Sequence, residues 1–214
     1  MDLRHPLQSV IPSAHGAVLS VLAQTAVPLS GRGLAELTRP AYGYRRVGQV
    51  LGDLTTAGIV LRESRPPSFF YRLNRDHVAA EGIVALSNMW SVLLDRIRTD
   101  VDGWAPQPRA VWIFGSAARG EAGPDSDIDI LLVRPSSASD TETAAGGNDW
   151  QARVDDLSDK VTRWSGNPCE ILDLDESELE AALARGDRLV RDLRDQAVRV
   201  FGREPRALLR TDVD

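Results

Sequence analysis

The chain has 214 residues, of which 43% are hydrophobic and 26% are charged, and it contains a single cysteine. This composition is typical of a soluble globular protein, long enough for one large domain or two small ones. It lacks the roughly 18 consecutive apolar residues of a membrane span and an apolar signal region. One cysteine excludes an internal disulfide and, with only three histidines, argues against a zinc site. We therefore expect a cytoplasmic protein with no membrane partner.

The net charge of −6 is unevenly distributed along the chain. Residues 1–78 hold nine arginines and five acidic residues, a net charge of +4, whereas residues 79–214 have a net charge of −10. This asymmetry indicates two parts with different tasks and points to a polyanionic partner for the basic part.

Three short helices are predicted in the first third of the chain. Apolar residues at helical spacing place them at about 13–24, 30–38 and 42–57. In the second helix Leu34 and Leu37 are expected to face inward. The third helix is expected to bury Val47, Val50, Leu51 and Leu54.

Two short strands are predicted next, at 59–63 and 69–73, joined by the turn SRPPS. The order of these elements resembles a winged helix-turn-helix of the kind found in bacterial transcription regulators, and LTTAGIV followed by FFYRLN is typical of it. We assign this domain to residues 1–76. The resemblance implies that the third helix enters the major groove of DNA. The expected DNA contacts are Tyr44, Arg45, Arg46 and Gln49 on the helix, with Arg62, Arg65 and Arg72 on the wing.

A second interpretation of this domain stays open. Winged helices also act as dimerisation or protein-docking modules, and a charge of +4 is modest. If the domain binds DNA, a homodimer on paired half-sites is the usual arrangement. Residues 77–108 are predicted to form a connecting helix and a short loop, since apolar residues recur there at helical spacing before DGWAPQP interrupts the pattern.

The segment 111–133, VWIFGSAARGEAGPDSDIDILLV, is the most informative part of the chain. An apolar strand runs into Gly115 and Ser116, and a second apolar strand carries Asp127 and Asp129. Alternate residues of a strand share a face, so both carboxylates point the same way. Their mutual repulsion favours a bound cation, and Mg²⁺ takes oxygen ligands together with substrate phosphates. Backbone N–H groups of the Gly-Ser turn are suited to holding those phosphates.

This segment resembles the signature of the DNA polymerase beta-like nucleotidyltransferase superfamily, and GSAARGE followed by SDIDILL is most similar to the minimal nucleotidyltransferases of bacteria and archaea. The resemblance implies an α/β (α+β) domain over residues 109–214, with a short mixed sheet flanked by helices. We predict strands at 110–114, 127–133 and 169–174. Helices are predicted at 150–164, 176–185 and 188–201, and a polar Gly-rich loop at 135–148.

The related families use a third carboxylate from the strand that follows the long helix. Here that strand reads CEILDLD, which offers Glu170 and Asp173. Glu170 stands where minimal nucleotidyltransferases usually carry Asp, and Asp173 has the opposite strand parity and should face away. We favour Glu170, although Glu departs from the closest family pattern.

The resemblance implies a two-metal reaction. Asp127, Asp129 and Glu170 are expected to bind two Mg²⁺ ions, and Gly115 and Ser116 to hold the triphosphate of an NTP, with ATP the favoured one. An acceptor hydroxyl on a protein, an RNA end or a small molecule would attack the α-phosphate. Arg119 is expected either to neutralise phosphate charge or to pair with Glu121 or Asp125.

Three functions compete at this stage. The first is a nucleotidyltransferase, a class in which minimal members often modify a partner toxin. The second is a transcription regulator whose transferase-like domain senses nucleotide without turnover. The third is an inactive scaffold, which is disfavoured because the Gly-Ser turn and the candidate carboxylates are all present.

Overall fold

The computed structural model describes residues 2, 5–121, 123, 125–135, 146–185 and 188–205. The chain divides into two compact units, one running to Trp90 and the other beginning at Ser91. The division falls inside 77–108, the stretch for which the sequence predicted a connecting helix.

The N-terminal unit contains short helices and a small antiparallel sheet. Its helices are α1 (Pro6–Val10), α2 (Ala14–Ala23), α3 (Gly31–Leu37), α4 (Tyr44–Thr56) and α5 (Ala80–Ser87). Its strands are β1 (Leu29–Ser30), β2 (Val60–Arg65) and β3 (Ser68–Leu73), in the order β1-β3-β2. Both pairings are antiparallel. The three predicted helices and both predicted strands are therefore present, whereas α1 and β1 were not predicted.

The apolar stripe of α4 packs as predicted, because Val47, Val50, Leu51 and Leu54 are all buried. For α3, which was predicted to bury Leu34 and Leu37, one of the two residues is wrong. Leu34 is fully buried, but Leu37 is 60% exposed. The inward position in the last turn belongs to Thr38, four residues after Leu34, and its Oγ1 donates to the Leu34 carbonyl at 2.9 Å.

The C-terminal unit contains a mixed four-stranded sheet. Its strands are β4 (Ala110–Phe114), β5 (Ile128–Arg134), β6 (Cys169–Asp175) and β7 (Val198–Gly202), in the order β6-β5-β4-β7. Strand β4 pairs antiparallel with β5 and β7, whereas β5 and β6 are parallel. Its helices are α6 (Met89–Asp102), which begins just before the division, α7 (Gly115–Ala118), α8 (Gly146–Ser165), α9 (Glu176–Arg185) and α10 (Arg188–Gln196).

A hydrophobic core of this unit lies between one face of the sheet and the last two helices, α9 and α10. Trp112 and Leu131 face each other across β4 and β5 and are both fully buried. They cluster with Leu179 and Leu183 of α9 and with Leu193 of α10. Burial of such large side chains stabilises the face of the sheet on which the carboxylates stand.

Three predictions for the second half of the chain need correction. The stretch 77–108 forms two helices instead of one. Helix α5 stops at Ser87, where the Asn88 backbone N–H donates to the Ala85 and Val84 carbonyls, and α6 begins at Met89. The last helix stops at Gln196, and Val198–Gly202 is a strand, because pairing with β4 outweighs the local helical pattern. The predicted loop 135–148 falls mostly on residues 136–145, which lie outside the described residues, and its last three positions belong to α8.

None of the described helices combines the length and apolar character needed to cross a membrane.

Candidate active site

The pairing of β5 with its two neighbours brings the predicted site residues together. Asp129 is the lateral partner of Phe114 on β4 and of Glu170 on β6. Laterally paired residues of a sheet have their side chains on the same face, so Asp129 and Glu170 stand side by side. Asp127 lies two residues before Asp129, immediately before β5 begins. Asp129 and Glu170 therefore share one face at the beginning of β5 and β6, and the charge of Asp127 acts on Asp129 from the residue just before β5.

The electrostatics of the cluster centre on Asp129. Its side chain is half-buried, whereas Asp127 and Glu170 are exposed. Burial raises the pKa of Asp129, the negative charges of Glu170 and Asp127 raise it further, and Arg119 opposes them. Ionised Asp129 is therefore destabilised by its surroundings, and a cation in the cluster would relieve that cost.

The donor set fits a hard divalent cation. Within the described part of the chain, none of the three side chains makes a hydrogen bond or an ion pair, so their oxygens are available as ligands. Carboxylate oxygens are the ligands that Mg²⁺ prefers. Among the described residues, no three His, Cys, Asp or Glu side chains are already arranged closely enough to hold a metal ion. Binding of a metal ion by all three acids would therefore require their carboxylates to move closer together.

The Gly-Ser turn lies directly against Asp129. Gly115 follows β4 and has a φ of +68°, in the left-handed region that favours glycine. A Cβ at this position would overlap Oδ2 of Asp129. The absence of a side chain at Gly115 thus leaves the space that the Asp129 carboxylate occupies.

Ser116 and Arg119, the other two residues predicted to contact nucleotide, differ in whether their side chains already have hydrogen-bond partners. Ser116 is half-buried in the short helix α7, and its side chain makes no hydrogen bond within the described part of the chain. The Nε of Arg119 donates to Glu121 at 2.6 Å, one of the pairings that its sequence context left open. Arg119 Nη1 also lies 3.4 Å from the Gln196 side-chain oxygen. The arginine is therefore near Asp129 but already partnered.

Asp173, the competing candidate for the third carboxylate, lies on the opposite face of β6. Its Oδ2 accepts a hydrogen bond from the Trp150 indole on α8 at 2.9 Å and lies 3.8 Å from Arg134. Burial raises the pKa of Asp173, while the Trp150 hydrogen bond and the Arg134 charge oppose that shift. This carboxylate belongs to the packing between β6 and α8 rather than to the cluster around Asp129.

One buried polar residue beside the cluster was not singled out from the sequence. Asn167 is fully buried and contacts the turn that leads to Asp127. The available signal was the Asn-Pro dipeptide directly before β6, because such dipeptides mark turns.

The residues predicted to contact DNA lie on the N-terminal unit. Tyr44, Arg45, Arg46 and Gln49 are all exposed on α4. Arg45 and Gln49 lie opposite the buried stripe, whereas Tyr44, three residues before Val47, lies at its edge near Gly31, so the prediction of one shared face is wrong for Tyr44. The wing arginines are more constrained. Glu63 accepts from Arg65 at 2.8 Å and from Arg72 at 3.0 Å, and Arg62 stacks over the Phe69 ring at 4.6 Å.

The comparisons with known proteins agree with this geometry. Residues 94–182 match the family model of the nucleotidyltransferase domain, a range that contains β4, β5, β6 and all three carboxylates. Over this range the chain is similar to nucleotidyltransferase domains, which supports a transferase acting on a nucleotide. The match confirms that part of the resemblance and does not extend to the N-terminal unit. No curated protein and no solved structure matches the chain.

The packing at Gly115 predicts a substitution effect beyond backbone strain. Gly115→Ala should cost about 1–2 kcal/mol for the left-handed conformation, plus roughly 1–3 kcal/mol for displacing Asp129. Gly120→Ala is the matched control, because Gly120 has a φ of +66° and an added Cβ there would have no neighbour within 4 Å. If urea titrations showed that Gly115→Ala and Gly120→Ala lose the same unfolding free energy, that result would contradict the close approach of Asp129 to Gly115.

The raised pKa of Asp129 predicts a pH-dependent gain on removing its charge. Because the folded state disfavours the ionised carboxylate, the penalty is complete above the raised pKa and disappears as the pH falls towards the ordinary value of 3.8. In EDTA, Asp129→Asn should therefore raise Tm at pH 8, on the order of 1–3 °C, and the gain should shrink in acid. Asp125→Asn, which removes an exposed acid from the same turn, controls for net charge. A lower Tm for Asp129→Asn at pH 8 would count against the electrostatic account.

Proposed function

We propose that the chain is a Mg²⁺-dependent nucleotidyltransferase that moves an NMP, with AMP the first candidate, from an NTP to a hydroxyl acceptor. The observation that carries the proposal is the lateral pairing of Asp129 with Glu170, with Asp127 two residues away and the Gly115-Ser116 turn against the same carboxylate. A half-buried carboxylate whose pKa is raised by burial and by two neighbouring carboxylates marks a candidate functional site.

Each residue has a distinct task in this proposal. Asp127, Asp129 and Glu170 would hold the divalent ions, which supply Lewis-acid stabilisation of the charge that develops on phosphate oxygens. Gly115 leaves room for the Asp129 carboxylate, and the Ser116 hydroxyl would donate to a phosphate oxygen of the triphosphate. Arg119 contributes positive charge near Asp129 while it stays paired with Glu121.

The proposed reaction is an in-line displacement. A bond forms between the acceptor oxygen and the α-phosphorus, and the bond to the oxygen bridging the α- and β-phosphates breaks. The electron pair of the broken bond leaves with pyrophosphate. The hydroxyl proton passes to solvent by way of Glu170, the carboxylate on the outer strand of the sheet. The acceptor belongs to a protein, an RNA end or a small molecule.

The N-terminal unit is proposed to be a winged helix that places the transferase in a DNA-binding, regulatory context. Three helices followed by the β2–β3 hairpin, with β1 as the third strand, support this assignment. Exposed Arg45 and Arg46 on α4 suit a polyanion, and a homodimer would match paired half-sites. A docking module for a protein partner is the competing role, and a DNA retardation assay separates the two.

The proposed reaction predicts a clear mutational pattern. Purified protein is incubated with Mg²⁺ and each α-labelled NTP in turn, with and without lysate from its own source. Asp127→Asn, Asp129→Asn and Glu170→Gln should each reduce label transfer by about 10²–10⁴-fold without loss of fold. Asp173→Asn is the control and should retain transfer within about threefold of wild type. Full activity in Asp129→Asn would end the assignment, and Mg²⁺-dependent nucleotide binding without transfer would favour a nucleotide sensor.

The ion pairs that Arg65 and Arg72 make with Glu63 predict that Glu63 limits the affinity of the N-terminal unit for DNA. Glu63→Gln removes a negative charge and releases Arg65 and Arg72 for phosphate contacts, so affinity should rise roughly 3–10-fold at low salt and the salt dependence should steepen. Arg45→Ala and Arg46→Ala should each weaken binding. Retardation gels and fluorescence anisotropy at two salt concentrations measure both effects. No retardation by any variant would favour the docking role.

A further inference from the structure

We propose that Asn167 is a positioning residue of the carboxylate cluster: together with Pro168 it holds the backbone on both sides of Asp127 against the strand that carries Glu170. The inference rests on the proposed function, because it concerns how the same site is assembled.

The side chain of Asn167 holds the backbone before Asp127. Its Nδ2 donates to the Ser126 carbonyl at 2.9 Å and lies 3.3 Å from the Gly123 carbonyl. Ser126 is the residue directly before Asp127. Asn167 is fully buried, so these amide contacts are shielded from competition by water.

The backbone of the next residue holds the chain after Asp127. The Pro168 carbonyl accepts a hydrogen bond from the Ile128 N–H at 2.8 Å. Asp127 is therefore bracketed, with Ser126 fixed by Asn167 and Ile128 fixed by Pro168. Because β6 begins at the following residue, the same two-residue segment leads directly to Glu170.

The two segments that these contacts join, Asn167-Pro168 and the turn before Asp127, are each held by further hydrogen bonds. The Asn167 N–H donates to Ser165 Oγ at 3.1 Å, and that hydroxyl donates to the Val161 carbonyl of α8 at 2.7 Å. On the other side, the turn closes on itself, since the Gly123 N–H donates to Ser126 Oγ at 2.9 Å. The connection therefore joins two held segments rather than two free loops.

Asp127 needs such a connection more than the other two acids do. Asp129 and Glu170 lie within strands and are placed by the sheet ladder. Asp127 precedes β5, is exposed, and makes no side-chain hydrogen bond or ion pair within the described part of the chain. Functional ligands must be held within roughly 0.5 Å of their productive geometry, and for Asp127 the Asn167-Pro168 connection supplies that constraint.

The test compares Asn167→Ala with Ser87→Ala in the full chain. Asn167→Ala removes the amide contacts with Ser126 and Gly123. Ser87→Ala removes a different buried hydrogen bond, from the Ser87 hydroxyl to the Ile83 carbonyl at 3.0 Å, in the unit that carries none of the three carboxylates. Asn167→Ser, a smaller and still polar change, serves if Asn167→Ala does not fold. Three quantities are measured: Mn²⁺ affinity by calorimetry, amide hydrogen exchange at Ser126 and Ile128, and the Mg²⁺ concentration for half-maximal label transfer.

We expect Asn167→Ala to weaken Mn²⁺ binding by about 10-fold or more and to raise the Mg²⁺ requirement similarly, with faster exchange at Ser126 and Ile128. Ser87→Ala should keep the Mn²⁺ affinity within about twofold of wild type. Unchanged metal affinity in a folded Asn167 variant, or an equal loss in Ser87→Ala, would overturn the positioning role.

The readouts separate this inference from the proposed function. If the wild-type protein binds Mn²⁺ but transfers no label, the transferase proposal fails, and the positioning role is decided by metal affinity and exchange alone. If the wild-type protein transfers label while the Asn167 variant keeps wild-type metal affinity, the positioning role fails and the transferase stands. A wild-type protein that binds no Mn²⁺ overturns the positioning role.

Discussion

The parallel pairing of β5 with β6 is the constraint on which the candidate site depends. It sets Asp129 beside Glu170 on one face of the sheet. A shift of one residue in this register would turn Glu170 to the other face and bring an apolar neighbour beside Asp129. Such a shift would also turn Leu174 away from the apolar cluster and take Asp173 away from Trp150, which makes it costly. The core thus specifies the site.

The carboxylate cluster lowers the stability of the folded C-terminal unit, and apolar burial elsewhere in the unit offsets that loss. Asp129 is half-buried beside two like charges, which raises its pKa and destabilises its ionised form. Large apolar side chains such as Trp112 and Leu131 supply the burial that compensates. A protein that needed only stability would favour an apolar residue at this position. The retained charge is consistent with a bound cation, as the proposed function requires.

Local pattern was enough to predict much of the geometry of the candidate site. The opposite parity of Glu170 and Asp173 is a property of a single strand, and the structure places Glu170 beside Asp129 and binds Asp173 to Trp150 on the other face. Asp127 was predicted to lie in the same strand as Asp129, but the strand begins one residue later, at Ile128. Whether Glu170 serves in catalysis stays a prediction.

The features that were missed depend on contacts between distant parts of the chain. Strand β7 exists because Val198–Gly202 pairs with β4, and no local pattern distinguishes it from the end of a helix. Leu37 is exposed because Thr38 takes the inward position at the end of α3. Asn167 contacts Ser126, 41 residues away, and only the folded chain reveals that connection.

The most direct test of the central claim is a crystal structure of the full chain with Mn²⁺ and a non-hydrolysable NTP analogue, using the anomalous signal of manganese. The account predicts anomalous peaks bound by Asp127, Asp129 and Glu170, with the triphosphate on the Gly115-Ser116 turn and Asp173 still bound to Trp150. Peaks elsewhere, or nucleotide bound without Glu170 near a metal ion, would contradict it.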